Sequence, residues 1–119
     1  MDHIDPAQVG HKPNSIRQRL NDRRASETFD VECEGLSYTA IISRFSDGRL
    51  GEIFLTNTKA GSGADTAARD AAIAVSIAFQ HGADPEIIRR ALCRDSQGKA
   101  NGPLGTALDL IAAQDRGQP

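Results

Sequence analysis

Tryptophan is missing from this 119-residue chain, and aromatic side chains make up only 4% of it. With an apolar fraction of 39%, any core has to be aliphatic and modest in size. Cysteine is nearly as scarce. Cys33 and Cys93 lie far apart, and neither belongs to a Cys-x-x-Cys pair or a cysteine–histidine cluster, so the sequence offers no metal site. Two free thiols suit a reducing compartment, and a cytoplasmic location is expected. No apolar run reaches the length that crosses a bilayer and no signal-peptide pattern opens the chain, which argues against a membrane partner. The net charge of −2 exerts no global pull on nucleic acid. Missing too are a Ser/His/Asp set and a pair of neighbouring carboxylates. No catalytic residue is therefore assigned, no cofactor is implied, and the chain is not expected to be an enzyme.

What is present is length enough for one domain and too little for two. Pro6, Gly10 and Pro13 break any early helix. Lys12, Arg17, Arg19, Arg23 and Arg24 then crowd one stretch with only Asp22 against them. Ile16 to Arg24 suits a short basic helix, but offers only Ile16 and Leu20 for burial. Residues 1–25 are therefore read as a flexible basic arm able to dock, 26–114 as a single domain, and 115–119 as a frayed tail.

Within the domain, Phe29, Val31 and Cys33 alternate with Asp30 and Glu32, the pattern of a half-buried strand. Glu34-Gly35 makes a turn, and Tyr38 to Phe45 reads as a second strand. Asp47-Gly48 between two apolar runs signals a hairpin with positive φ at both turn positions. Leu50 to Asn57 is the third strand, in which Gly51 marks a bulge or a close backbone approach. Ser62 then starts a helix over Gly63 to His81 that Gly82 stops. Ala71 to Phe79 is apolar but for Ser76, so this helix is expected to be buried on several sides, against the sheet and against another helix or a second subunit. Asp84-Pro85 opens a helix to about Leu92, Arg94 to Pro103 is a polar loop, and Leu104 to Gln114 is a last amphipathic helix. The class is α+β: a three-stranded antiparallel β-meander packed against two or three C-terminal α-helices.

Two stretches carry a resemblance. They are Asp47-Gly-Arg-Leu-Gly-Glu-Ile-Phe54, followed by Lys59-x-Gly61, and Ala72-Ile-Ala-Val-Ser-Ile-Ala-Phe-Gln-His-Gly82. In order and content they resemble the TSCPD domain at the C-terminus of adenosylcobalamin-dependent ribonucleotide reductases. Leu20-Asn-Asp-Arg-Arg24 is similar to that family's Arg-Arg segment before its first strand. The likeness spans about residues 20–95 and implies a link to nucleotide chemistry. It does not imply the reductase reaction, because a catalytic barrel, a cobalamin site and the radical cysteines are lacking. The Thr-Ser-Cys-Pro-Asp motif that names the domain is lacking too.

Candidate ligand contacts fall in three places. Lys59, Gly61, Ser62 and Gly63 offer open amides and an ammonium at a helix N-terminus, which suits phosphate or carboxylate; the same residues also read as a turn and a Ser62-x-x-Asp65 capping box. Arg44 and Arg49 flank the hairpin, either as guanidinium groups for an anion or, in the case of Arg44, as a partner of Glu52 across the strands. Arg90 and Arg94, with Arg89, form a basic cluster near Asp95, Gln97 and Lys99, either a binding loop or a solvated helix end. His81 reads as a helix cap. Cys93, beside Arg94, is either a nucleophile or, more simply, a partly buried structural thiol.

The expected function is non-catalytic binding of a nucleotide or other phosphorylated small molecule by a homo-oligomer. It serves either as an accessory module in deoxyribonucleotide metabolism, with a ribonucleotide reductase as a possible partner, or as a phage-type sponge for a cyclic or ADP-ribose-like immune signal. The alternative of another class is an interaction module whose basic arm docks on nucleic acid or an acidic protein.

Overall fold

The structure is a computed structural model and describes residues 16–117. Three strands, β1 (Ser26–Cys33), β2 (Leu36–Arg44) and β3 (Leu50–Asn57), form one antiparallel sheet in the order β1-β2-β3. Three helices follow among the described residues: α1 (Gly63–Gln80), α2 (Pro85–Ala91) and α3 (Pro103–Asp115). The α+β meander with C-terminal helices on the sheet is thus the architecture observed.

The two hairpins differ from each other. At the first, Glu34 (φ 52°) and Gly35 (φ 75°) both take left-handed backbone and close a two-residue turn. At the second, Gly48 alone has positive φ (93°). Phe45 N–H donates to Arg49 C=O at 2.8 Å and Gly48 N–H to Phe45 C=O at 2.9 Å. The loop is therefore three residues ending on a left-handed glycine, and the expectation of two positive-φ positions at Asp47-Gly48 is corrected. The added residue is absorbed next door. Ser43 faces Glu52 and Arg44 faces Leu50, so the register skips Gly51, which is the expected bulge. The close approach is there too: a Cβ on Gly51 would lie 3.0 Å from both Leu20 Cδ2 and Phe45 Cε2.

Alternation along the strands puts Val31, Tyr38, Ala40, Ile42, Ile53 and Leu55 on one face. There they meet Ala68, Ala72, Val75 and Phe79 of α1 and Leu104, Ala107, Leu108 and Ile111 of α3. The other face carries the row Thr28, Ile41 and Phe54 and stays open. α1 packs on β3 and touches α3, so two of its sides are covered. Its third side, with Ile73 51% and Ile77 41% exposed, is not, and the expectation of burial on several sides holds for two only.

Polar side chains of α1 seal the free edge of β3. Asp65 accepts from Asn57 N–H at 2.9 Å, Ser76 bonds both backbone groups of Ile53, and Gln80 Nε2 donates to Gly51 C=O at 3.0 Å. The helix runs antiparallel to the strand, and the spans match. Gly51 to Asn57 covers roughly 20 Å of strand, and Asp65 to Gln80 roughly 22 Å of helix. An edge covered in this way no longer offers a template for another chain.

Residues 16–24 contain no helix, contrary to the short one expected from Ile16 to Arg24. They lie extended against the end of α1. Gln18 N–H donates to Gln80 C=O at 2.7 Å, Arg17 Nε donates to Gln80 Oε1, and Arg24 reaches Glu52 at 2.9 Å. Burial of Leu20 over Gly51 outweighs local helix preference here. The remainder of the expected arm, 1–15, lies outside the described residues, as do 118 and 119 of the expected tail. Asp115 still belongs to α3. No helix among the described residues is long and apolar enough to cross a membrane.

Candidate functional site

The loop after β3 folds around a carboxylate. Ser62 caps α1, accepting from Asp65 N–H at 3.1 Å and donating through its hydroxyl to Lys59 C=O at 2.7 Å. Asp65 answers, though not to the Ser62 amide that a capping box would use. Its two oxygens take Asn57 N–H and Gly61 N–H (3.0 Å), and Arg69 stands 3.9 Å away. These bonds, that from Asn57 foremost, hold the Asp65 carboxyl below its usual range. The Ser62 amide points to Lys59 C=O at 3.3 Å. Two of the amides offered to an anion are thus engaged within the chain, one of them by Asp65 itself. Lys59 is exposed.

At the opposite end of β3, roughly 25 Å away by strand length, a cleft of about 500 Å³ opens between the second hairpin, the start of α2 and the last turns of α3. Leu50, Leu108, Ile111 and Ala112 give it apolar walls. Five guanidinium groups, Arg44, Arg49, Arg89, Arg90 and Arg116, line it against three carboxylates, Asp84, Glu86 and Asp115. The hairpin and its bulge deliver Arg44 and Arg49. The Asp84 cap and Pro85 start α2 and set Glu86, Arg89 and Arg90 at helical spacing.

The partners sort these arginines. Arg44 is held by Asp115 at 2.9 Å and Glu27 at 3.5 Å, while Glu52 pairs with Arg24; the expected Arg44–Glu52 pair is not formed. Tertiary neighbours from α3 and β1 win over the diagonal strand neighbour. Arg49 lies over the Phe45 ring, 4.7 Å from its centroid, and donates to Asp47 (2.7 Å) and Gln18 (3.0 Å). Its bonds, first the backbone N–H, also lower the Asp47 pKa. Glu86 receives Arg89 (2.9 Å) and Arg90 (3.0 Å), and these hydrogen bonds, Arg89's above all, bring its pKa down to about 2. Arg90 nevertheless keeps a side chain 75% exposed. Arg116 is exposed and makes no side-chain bond among the described residues.

Arg94 lies apart from the cleft. It grips both oxygens of Asp109, at 2.7 and 2.8 Å, and reaches Gly98 C=O at 2.9 Å, pinning the loop after α2 to α3. Arg89 joins the same carboxylate at 2.9 Å. Asp109 is pushed down by Arg94 first and then Arg89, while both arginines are raised, Arg89 by Glu86 first and Arg94 by Asp109.

The structure therefore brings together Arg44, Arg49 and Arg90, leaves Arg94 outside the cleft as a strut on Asp109, and places Lys59, Gly61, Ser62 and Gly63 at the far end of the sheet. Arg116 was missed by sequence reasoning because it sits in the expected tail. Its recurrence four residues after Ala112 and eight after Leu108, on one helical face, was the available signal. Cys93 is exposed, so the simpler expectation of a partly buried thiol is corrected; Cys33 is the buried one. His81 is the C-cap of α1. No three of His, Cys, Asp and Glu among the described residues gather as a metal site.

A three-stranded meander, an edge-sealing helix started by a serine cap and a C-terminal helix pair define a small α+β module. The chain belongs to the TSCPD domain family, whose match covers residues 10–113. No curated protein and no solved structure is significantly similar to it.

Proposed function

We propose that this TSCPD domain binds a phosphorylated small molecule, a nucleotide in the first instance, in the cleft between the second hairpin, α2 and α3, and does not turn it over. The carrying observation is the excess of guanidinium over carboxylate around one cavity, with Arg90 and Arg116 open to a ligand. Guanidinium forks match phosphate oxygens, and charge-assisted bonds are worth about 1.5–3 kcal/mol each. The apolar walls provide a surface for a base or sugar, and the volume lies in the range of small-molecule sites. The nucleotide class comes from the family's link to ribonucleotide reductase. Tight capture of a cyclic or ADP-ribose-like nucleotide would favour sequestration, and co-purification with a reductase the accessory role.

Calorimetric titration with ADP and with pyrophosphate, at low salt, tests this reading. Joint Arg90→Glu and Arg116→Glu substitution is expected to weaken binding about tenfold or more, with Lys59→Glu close to wild type. Loss with Lys59→Glu alone would move the ligand to the loop before α1.

The homo-oligomer belongs to the same proposal. Ile73 and Ile77 sit one turn apart on the open side of α1, where a second copy would cover them.

A further inference from the structure

We propose a second ligand site, in the cleft between the first half of α1 and the start of α3, for a compact, neutral, mostly apolar molecule carrying one atom that hydrogen-bonds to the Tyr38 hydroxyl. This cleft measures about 300 Å³ and shares no lining residue with the arginine cleft. Ala64, Ala67 and Ala71 form one wall and Leu92, Pro103 and Leu104 the other. The alanines recur at three- and four-residue spacing, so one face of α1 is kept short and the space beside it open. No lining residue is acidic or basic, so an anion entering would lose water without meeting an opposite charge. The site therefore lacks the guanidinium groups that suit phosphorylated ligands in the other cleft.

Tyr38 is the second, independent observation. It lies at the wall of this cleft and is only 5% exposed. Its hydroxyl has no hydrogen-bond partner among the described residues. Yet no fully buried side-chain oxygen or nitrogen among them lacks a partner. The phenol oxygen therefore keeps some accessible surface, and Tyr38 lines this cleft. A phenol this buried ordinarily finds a partner. Here the position of that partner is open to a guest, which the hydroxyl meets as donor or acceptor. The exposed Cys93 lines the same cleft, whereas Cys33 is buried, so one thiol reports on its occupancy.

Quinoline and naphthalene, nearly identical in shape and differing by one ring nitrogen that accepts a hydrogen bond, are the probes. Titrations of the full chain at pH 7.5 are followed by amide NMR, with alkylation of Cys93 by iodoacetamide as a second readout by intact mass. Quinoline is expected to bind about fivefold tighter than naphthalene, the worth of one hydrogen bond, to shift amides around Ala64–Ala71 and Gly102–Gly105, and to slow alkylation. Tyr38→Phe should bring the two affinities level. Ala67→Leu, at an exposed position that tolerates a larger side chain, should remove both. The proposal is overturned by any of three results: a quinoline preference that persists in Tyr38→Phe, shifts confined to other parts of the chain, or no shift and an unchanged alkylation rate at millimolar quinoline.

Discussion

Ser76 Oγ sits between the two backbone polar groups of Ile53, accepting from its N–H at 2.9 Å and donating to its C=O at 3.0 Å. One hydroxyl thus replaces the missing neighbour strand at the middle of the β3 edge. Ser76→Ala leaves both groups buried without it, and the expected loss is about 1–3 kcal/mol of unfolding free energy. The exposed Thr66→Ala on the same helix should stay within about 0.5 kcal/mol. Urea unfolding of both variants checks the difference.

Gly51 is where residues 16–24 join the body. Gly51→Val puts atoms into the space held by Leu20 and Phe45, and overpacking of this kind costs about 1–3 kcal/mol. Trypsin should then cut earlier at Arg17, Arg19, Arg23 and Arg24. Adding Leu20→Ala restores room at Gly51, so the double variant should lose less stability than the two single losses combined.

Acid should destabilise the domain through its engaged carboxylates. Asp65 and Glu86 bind their protons less tightly in the folded chain than in the unfolded one. Their contribution is therefore complete above the unfolded values of 3.8 and 4.5, and is lost as pH falls through the folded ones, for Glu86 between about 4.5 and about 2. Chemical unfolding measured from pH 6 to pH 2 should show stability falling in that window. Asp65→Asn or Glu86→Gln should lower stability at pH 6 and flatten the fall.

The open side of α1 gives a prediction on assembly. Light scattering of the wild-type chain should report a mass above that of one 12.7 kDa copy. Ile73→Glu with Ile77→Glu should return it to one copy without loss of helical circular dichroism, because neither side chain belongs to the core.

How much of this was legible beforehand depended on range. Ser62, Asp84-Pro85 and Gly82 act on their own turn of chain, and the helices begin and end within a residue or two of where these residues put them. Alternation in β1 to β3 depends on a period of two and survived folding. At the second hairpin Asp-Gly favours a two-residue turn, whereas the bulge at Gly51 makes room for three. Nothing in Glu34 announces its positive φ. Ion pairing was least legible: Arg44 takes Asp115 and Glu27, and Arg24 takes Glu52, from elements brought together only by the fold. Ser62 and Asp65 were visible as a capping pair, but the turn of the Asp65 carboxylate to Asn57 and Gly61 was not. That tertiary bond takes up the Gly61 amide, one of the donors that the loop before α1 offered to an anion.

An amide NMR map of ADP binding tests the central claim most directly, because the two basic regions stand a strand's length apart. The account predicts shifts at Gly48, Arg49, Arg90, Ala112 and Arg116, with Lys59 to Ala64 unmoved. Shifts confined to Lys59–Ala64, or none at millimolar ADP and low salt, would contradict it.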